Sequence, residues 1–165
     1  MIITTELSVE QIKKILHQVK DPEIPTVSVV DLGVISDINI NANGHVDVEM
    51  IPTFSGCAAI HIMRFMIEQV LKENGVCDVN VTVNRNKAWS SDKLTPQGRQ
   101  HLLDFGLSPP PIHAGDDPLA DMEHAICPKC GSKNTSLLSP FGPTLCRAIH
   151  HCHDCAETFE QFKPV

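Results

Sequence analysis

Four cysteines near the end of the chain carry the most specific chemistry in the sequence. Cys127-Pro-Lys-Cys130 and Cys152-His-Asp-Cys155 are two Cys-x-x-Cys pairs separated by 21 residues, 131 to 151. Two residues between ligands let a tight turn aim both sulfurs at one ion while backbone N–H groups donate to the thiolates. The spacing predicts one tetrahedral metal ion held by Cys127, Cys130, Cys152 and Cys155 in a zinc-ribbon module. Zinc is the expected ion, although tetrahedral sulfur also suits iron. Gly131 supplies the left-handed residue that completes such a turn. Ala156 occupies the matching place in the second pair, where that conformation costs ~1 kcal/mol. A redox Cys-x-x-Cys follows a strand and opens a helix, and it does not come in spaced pairs. So short a module needs the metal to fold, a contribution on the order of 10 kcal/mol. Phe141, Phe159 and Phe162 are expected to pack beside it.

Three thiols remain. Cys146 precedes the second pair and is either a small buried residue or an auxiliary ligand of the ribbon ion. His150, His151 and His153 crowd the same segment; with two intact cysteine pairs they are expected on the surface. Cys77 follows a helix-ending Gly75 and is read as structural. Cys57 lies at the expected N-terminus of a helix, where free N–H groups and the helix dipole favour a thiolate, both nucleophile and soft-metal ligand. The alternative is a small residue on a core helix. Asp31, in an Asp-Leu-Gly turn, reads first as a turn-capping carboxylate.

The elements that must position these residues are legible from local patterns. Ser8 and Gln11 form a capping box ahead of Ile12, Ile15, Leu16 and Val19, and Asp21-Pro22 stops that helix. Asn43-Gly44 predicts a hairpin between strands carrying Val34, Ile38 and Ile40 on one side and Val46, Val48 and Met50 on the other. A second helix after Cys57 carries the stripe Ala59, Ile62, Met63, Met66, Ile67, Val70 and Leu71. Val79, Val81 and Val83 alternate as a third strand. A shorter helix opens at Thr95-Pro96 and closes near Gly106. The stretch 108–123 is rich in Pro and Asp, lacks periodicity, and reads as an exposed linker. The fold class is therefore α/β (α+β): a small mixed three-stranded sheet packed with helices over residues 1–107, then a linker, then a four-cysteine module over 124–165.

Composition narrows the function classes. The 165 residues include 20 acidic and 13 basic side chains, a net charge of -7, which argues against binding a nucleic-acid backbone. The seven cysteines are an odd number, and no basic n-region precedes an apolar stretch at the start, so a disulfide framework is not expected. No apolar run approaches the ~20 residues of a membrane span. The expectation is a cytoplasmic chain without membrane or nucleic-acid partners.

At longer range the residues resemble a known family. Asp21-Pro-Glu-Ile-Pro-Thr-Val-Ser-Val-Val-Asp-Leu-Gly33 and Pro52-Thr-Phe-Ser-Gly-Cys57 are similar to the signatures of SufT-type iron–sulfur assembly domains, as is Ala88-Trp-Ser-Ser-Asp92. Continued into Cys127-Pro-x-Cys-Gly, Phe141-Gly-x-Thr-x-Cys146 and Cys152-x-x-Cys-x-Glu-x-Phe, the chain resembles the PaaD family, accessory proteins of the phenylacetyl-CoA epoxidase system. Phe54, Ala58 and Pro143 depart from the family pattern without removing a ligand. The resemblance implies an accessory role in phenylacetate degradation with no catalytic residues, in which a transient iron–sulfur cluster or iron is supplied to the epoxidase. It places Cys57 and Asp31 at the cluster- or iron-handling site, with epoxidase components or other iron–sulfur client proteins as partners. An integral non-catalytic subunit of the oxygenase is the rival reading; a nucleic-acid-binding ribbon is a weaker one.

Overall fold

The computed structural model describes residues 7–112 and 117–165; the first six residues and linker positions 113–116 lie outside the described residues. Helix α1 (Val9–Leu16) starts where its capping box predicts. The Ser8 hydroxyl accepts from the Gln11 N–H at 3.2 Å, and the Gln11 side chain accepts from the Ser8 N–H at 2.8 Å. Strands β1 (Ile35–Ile40) and β2 (Val46–Met50) pair antiparallel across the Asn43-Gly44 turn, which the Asn41 side chain closes by accepting from Asn43 and His45. Helix α2 (Ala59–Glu73) then carries the chain to β3 (Val79–Val83), parallel to β2, in a sheet of order β1-β2-β3. A parallel neighbour requires such a crossover. Val46, Val48 and Met50 are buried on one face of β2, together with Ile12 and Leu16 of α1.

The core face of α2 differs from the expected stripe. Ile62 is 52 % exposed and Ile60 is fully buried in its place. Ala59, Met63, Ile67 and Leu71 follow i, i+4 spacing and Ile60 lies beside them, so the buried face is shifted away from Ile62, with Met66 and Val70 at its half-buried edge. Helix α3 (Pro96–Phe105) has the predicted Thr95 cap, whose hydroxyl accepts from the Gly98 N–H at 2.9 Å, with Pro96 in first position and Gly106 closing.

A second sheet holds β4 (Leu107–Ser108), β5 (Thr135–Ser139), β6 (Arg147–Cys152) and β7 (Thr158–Phe162), in the order β4-β7-β6-β5. Strands β5, β6 and β7 form an antiparallel ribbon, while β4 adds in parallel, Leu107 opposite Glu160 and Ser108 opposite Gln161. The expectation of an exposed linker over 108–123 therefore fails at both ends. Ser108 is buried, its hydroxyl accepting from the Ile126 N–H at 2.9 Å. Helix α4 (Pro118–Met122) is capped by Asp117, and Met122 is buried. Composition describes a tract's average, but single residues within it found partners in the ribbon.

The aromatic side chains also depart from expectation. Only Phe159 of the three packs with the metal-site cysteines Cys127 and Cys152. Phe162 enters the N-terminal core, its ring edge-on to Trp89 at 5.8 Å. Phe141 is 75 % exposed, with the Lys163 ammonium 5.4 Å from its ring centre. The two sheets thus share one apolar core through Leu107 and Phe162. Phe162→Ala is expected to cost about 3–5 kcal/mol. Trp89, the single tryptophan, reports it: the urea midpoint of its emission falls, although the mutated residue lies 73 positions downstream. An unchanged midpoint would mean that the ribbon and the N-terminal core fold independently.

Candidate functional site

The ribbon's four sulfurs are gathered at one point, all within 4.8 Å of one another. Cys127 and Cys155 sulfurs lie 3.7 Å apart, Cys130 and Cys152 sulfurs 3.6 Å. Four sulfurs at ~2.3 Å around one tetrahedral ion have edges of roughly 3.8 Å, whereas a disulfide closes to ~2.05 Å. The residues fit a metal ion. The peptide N–H groups of Ser132, Asp154, Cys155 and Glu157 point at the sulfurs. Ala156 takes φ 59°, matching Gly131 at φ 75°, so the second turn repeats the first despite its Cβ. Asp154 ties the two turns together, accepting from Ser132 at 2.5 Å and from the Asn134 amide at 2.7 Å.

Crowding has an electrostatic consequence. The Ser132 N–H favours a Cys130 thiolate, but the neighbouring sulfurs and burial push its thiol up to about 12. Burial raises the Cys152 thiol too, but the Cys155 and Asp154 N–H groups and the adjoining thiols bring it down to about 7. Four thiolates cannot coexist here without a cation.

His150, expected on the surface, is fully buried instead. Its ring stacks on Phe159 at 5.5 Å and its Nε2 meets Gln161 Oε1 at 3.0 Å. Burial lowers its pKa, with Gln161 opposing, so it is neutral and structural. Cys77 is exposed, its thiol 3.8 Å from the Gly75 carbonyl.

Cys57 lies one residue ahead of the helix cap, which is Ala58 and not Cys57. Its sulfur still accepts the N–H groups of Ala59 and Ile60. Burial nevertheless outweighs those donors, and the charges of Asp21 and Glu23 add to it, so the thiol is pushed up rather than down. The helix N-terminus alone does not make it a thiolate. Cys57 opens onto a cavity of about 120 Å³ that is also lined by Glu23, Phe54, Thr144 and Cys146. Cys146 is therefore not one of the four clustered sulfurs and instead lines the Cys57 cavity. Sequence reasoning missed Glu23 and Asp21 here, because Asp21-Pro-Glu23 carries a helix-stop signal and nothing local ties it to Cys57.

Asp31 is not on that cavity wall. Its carboxylate accepts from the Ser28 hydroxyl at 2.6 Å and the Thr95 hydroxyl at 2.8 Å, with His17 Nδ1 at 3.4 Å. A Cβ on Gly98 would sit 2.6 Å from the Asp31 carbonyl oxygen, so glycine is required for α3 to approach. Burial raises the Asp31 carboxyl, but the two hydroxyls and the charges of His17 and His101 outweigh it and hold it below its ordinary value. The geometry is that of a clamp between the 28–33 turn and the start of α3.

With this arrangement in view, comparison with known proteins is decisive. Residues 113–163 match the PaaD zinc beta ribbon domain, and residues 9–83 match the iron–sulfur cluster assembly protein family. A protein of Escherichia coli (strain K12) is 36% identical over 157 residues, covering 95% of this chain and 93% of its own. The chain belongs to the PaaD family. The E. coli relative is named as one of the subunits of a 1,2-phenylacetyl-CoA epoxidase, an assignment its name marks as provisional. An Fe-S protein maturation auxiliary factor of Porphyromonas gingivalis is 34% identical over 102 residues, covering 59% of this chain and 90% of its own. A crystal structure of a domain of unknown function from Bacillus anthracis matches with TM-score 0.52 at 26% identity, over 56% of this chain and 89% of that one. A conserved hypothetical protein of Thermotoga maritima matches equally, TM-score 0.52 at 26% identity, over 64% of this chain and 100% of its own.

In this PaaD chain the assembly-domain match includes Asp21, Glu23, Asp31 and Cys57, and the ribbon match includes Cys146 and the four clustered cysteines. Two measurements test the assignments of geometry. X-ray absorption on purified protein is expected to show one ion per chain with four sulfurs in its first shell, near ~2.3 Å for zinc. A nitrogen ligand would refute it. For Asp31, the folded-state pKa is depressed, so its stabilisation is present above the unfolded value near ~3.9 and lost as pH falls through the folded value. Asp31→Asn is expected to cost about 1.5–3 kcal/mol at pH 7. Followed by Trp89 emission in urea, the gap between variant and parent narrows below pH ~4.

Proposed function

We propose that this PaaD protein is a cytoplasmic accessory factor in phenylacetate degradation that assists maturation of the multicomponent phenylacetyl-CoA epoxidase. Cys57 receives iron or an iron–sulfur cluster as cargo. The ribbon, held by a structural zinc, presents the cargo site to an epoxidase component. The observation that carries this reading is the placement of Cys57: a sulfur on a small cavity with Glu23 in its wall, accepting the first N–H groups of α2, within the iron–sulfur assembly domain. The names of the P. gingivalis and Bacillus subtilis relatives, Fe-S protein maturation auxiliary factors, support the same role.

The name of the E. coli relative supports a second reading, an integral non-catalytic subunit. Fixed stoichiometry of this chain in purified active epoxidase favours that second reading; active enzyme that has lost it favours the factor.

Cys57→Ser tests the first reading. Size is retained and the soft sulfur is lost, so folding is expected to change by about 1 kcal/mol or less. The ribbon ion is expected to stay. Cells carrying only the variant should accumulate epoxidase components depleted in iron or clusters. Full epoxidase activity at matched protein levels would leave the cargo site without its central residue.

A further inference from the structure

Exposed apolar side chains collect beside the Cys57 cavity. Ala58 lines that cavity and is itself exposed. Ile62 and Phe65 follow it at i+4 and i+7 on the same row of α2, and they are 52 % and 61 % exposed. The row runs roughly 10 Å from Ala58 to Phe65. Leu145, from the ribbon domain, lines the cavity as well and is 63 % exposed. It touches the Cys57 loop, since a Cβ on Gly56 would lie 3.1 Å from its Cδ1. Phe141, on the same ribbon loop, is also exposed. A single exposed leucine or phenylalanine is ordinary, but a group drawn from two domains beside one cavity marks a contact surface. Its charge differs from that of the whole chain, which is -7. Arg85 reaches the Ser55 carbonyl at 3.1 Å and the His61 ring at 3.3 Å, at the start of α2, and the Lys163 ammonium lies over the Phe141 ring. Neither a carbonyl nor an aromatic ring neutralises those charges. The carboxylates nearby are Glu68, which pairs with Arg64 at 3.9 Å, and Glu23 in the cavity wall.

We propose that this face docks an epoxidase component through an apolar segment bordered by carboxylates, with Ile62, Phe65 and Leu145 as its anchors. The identity of the partner rests on the maturation reading, which the face deepens by placing that partner beside Cys57. Charge selects the occupant. In a symmetric pair of these chains the patch would meet its own copy across the twofold axis and set like charges against one another. Carboxylates on a different protein are instead attracted to Arg85 and Lys163, while its apolar side chains take Ile62, Phe65 and Leu145 out of water. A partner seated on α2 and the 141–145 loop touches both domains at once and lies next to the cavity that both domains line.

Each purified epoxidase component, immobilised in turn, is presented with the full-length, zinc-loaded protein, and binding is followed by biolayer interferometry. One component is expected to bind. Ile62→Ser, Phe65→Ser and Leu145→Ser should each weaken binding by about tenfold or more, chiefly through faster dissociation. Arg85→Glu should slow association, and the parent's association rate should fall by roughly tenfold from low salt to about 0.5 M. Leu119→Ser, at a similarly exposed apolar residue of α4, should bind as the parent does. All of these positions are exposed, so the urea midpoint of Trp89 emission should stay with the parent and show that the variants are folded. Parent-like binding by all three serine variants overturns the face and leaves the maturation reading standing. Light scattering that shows the parent pairing with itself through these same residues also overturns it, in favour of a second copy. Failure of every component to bind the parent overturns the docking proposal outright. Complementation by Cys57→Ser judges the maturation reading separately.

Discussion

Strand β6 is hydrogen-bonded on both sides, to β5 and to β7, and so cannot slide relative to either. That constraint places the protein's chemistry. At its leading end, Cys146 and Arg147 lie against the Cys57 loop and the Asp21–Glu23 turn. At its far end, Cys152 enters the four-sulfur site. Six residue steps of extended chain span roughly 20 Å. An ion held by the four cysteines would therefore not share a ligand with Cys57; it would fix the strand that follows Cys146. The cysteine cluster buries only Ala125, Cys127, Cys152 and Phe159, too little apolar surface to hold three strands in register unaided.

The other face of the same ribbon is held by packing rather than by metal. Phe162 reaches Trp89, whose indole N–H donates to the Leu32 carbonyl at 3.0 Å in the turn containing Asp31. Asp31 in turn binds Thr95 at the start of α3, and α3 leads directly into β4, which pairs with β7. A closed circuit results: turn, helix, strand, ribbon and back to the turn. Asp31 belongs to this circuit and does not line the Cys57 cavity.

Interactions within a few residues of their own position were legible in the sequence. The Cys-x-x-Cys turns, the Ser8–Gln11 box, the Thr95–Pro96 start and the Asn43-Gly44 hairpin are all closed by local hydrogen bonds, which residue type dictates. His150 was legible in principle as well. Ala148, His150 and Cys152 share one parity along β6, and a buried ligand at 152 turns the same face of 148 and 150 inward. The cluster of three histidines obscured that alternation. Leu107 against Glu160, Phe162 against Trp89 and Cys146 on the cavity of Cys57 were not legible, because each joins residues more than fifty positions apart. Nothing local encodes such a pairing; it follows from how two sheets share a core.

The balance of forces at Cys57 decides what kind of sulfur it is. Two helix N–H groups stabilise negative charge on it, yet burial and two carboxylates oppose that charge more strongly. Cys146 meets the same opposition from burial, Glu23 and Asp21, which the Thr144 hydroxyl and Arg147 only partly relieve. At rest both are neutral thiols, and a neutral thiol is a poor nucleophile and a slow target for oxidation.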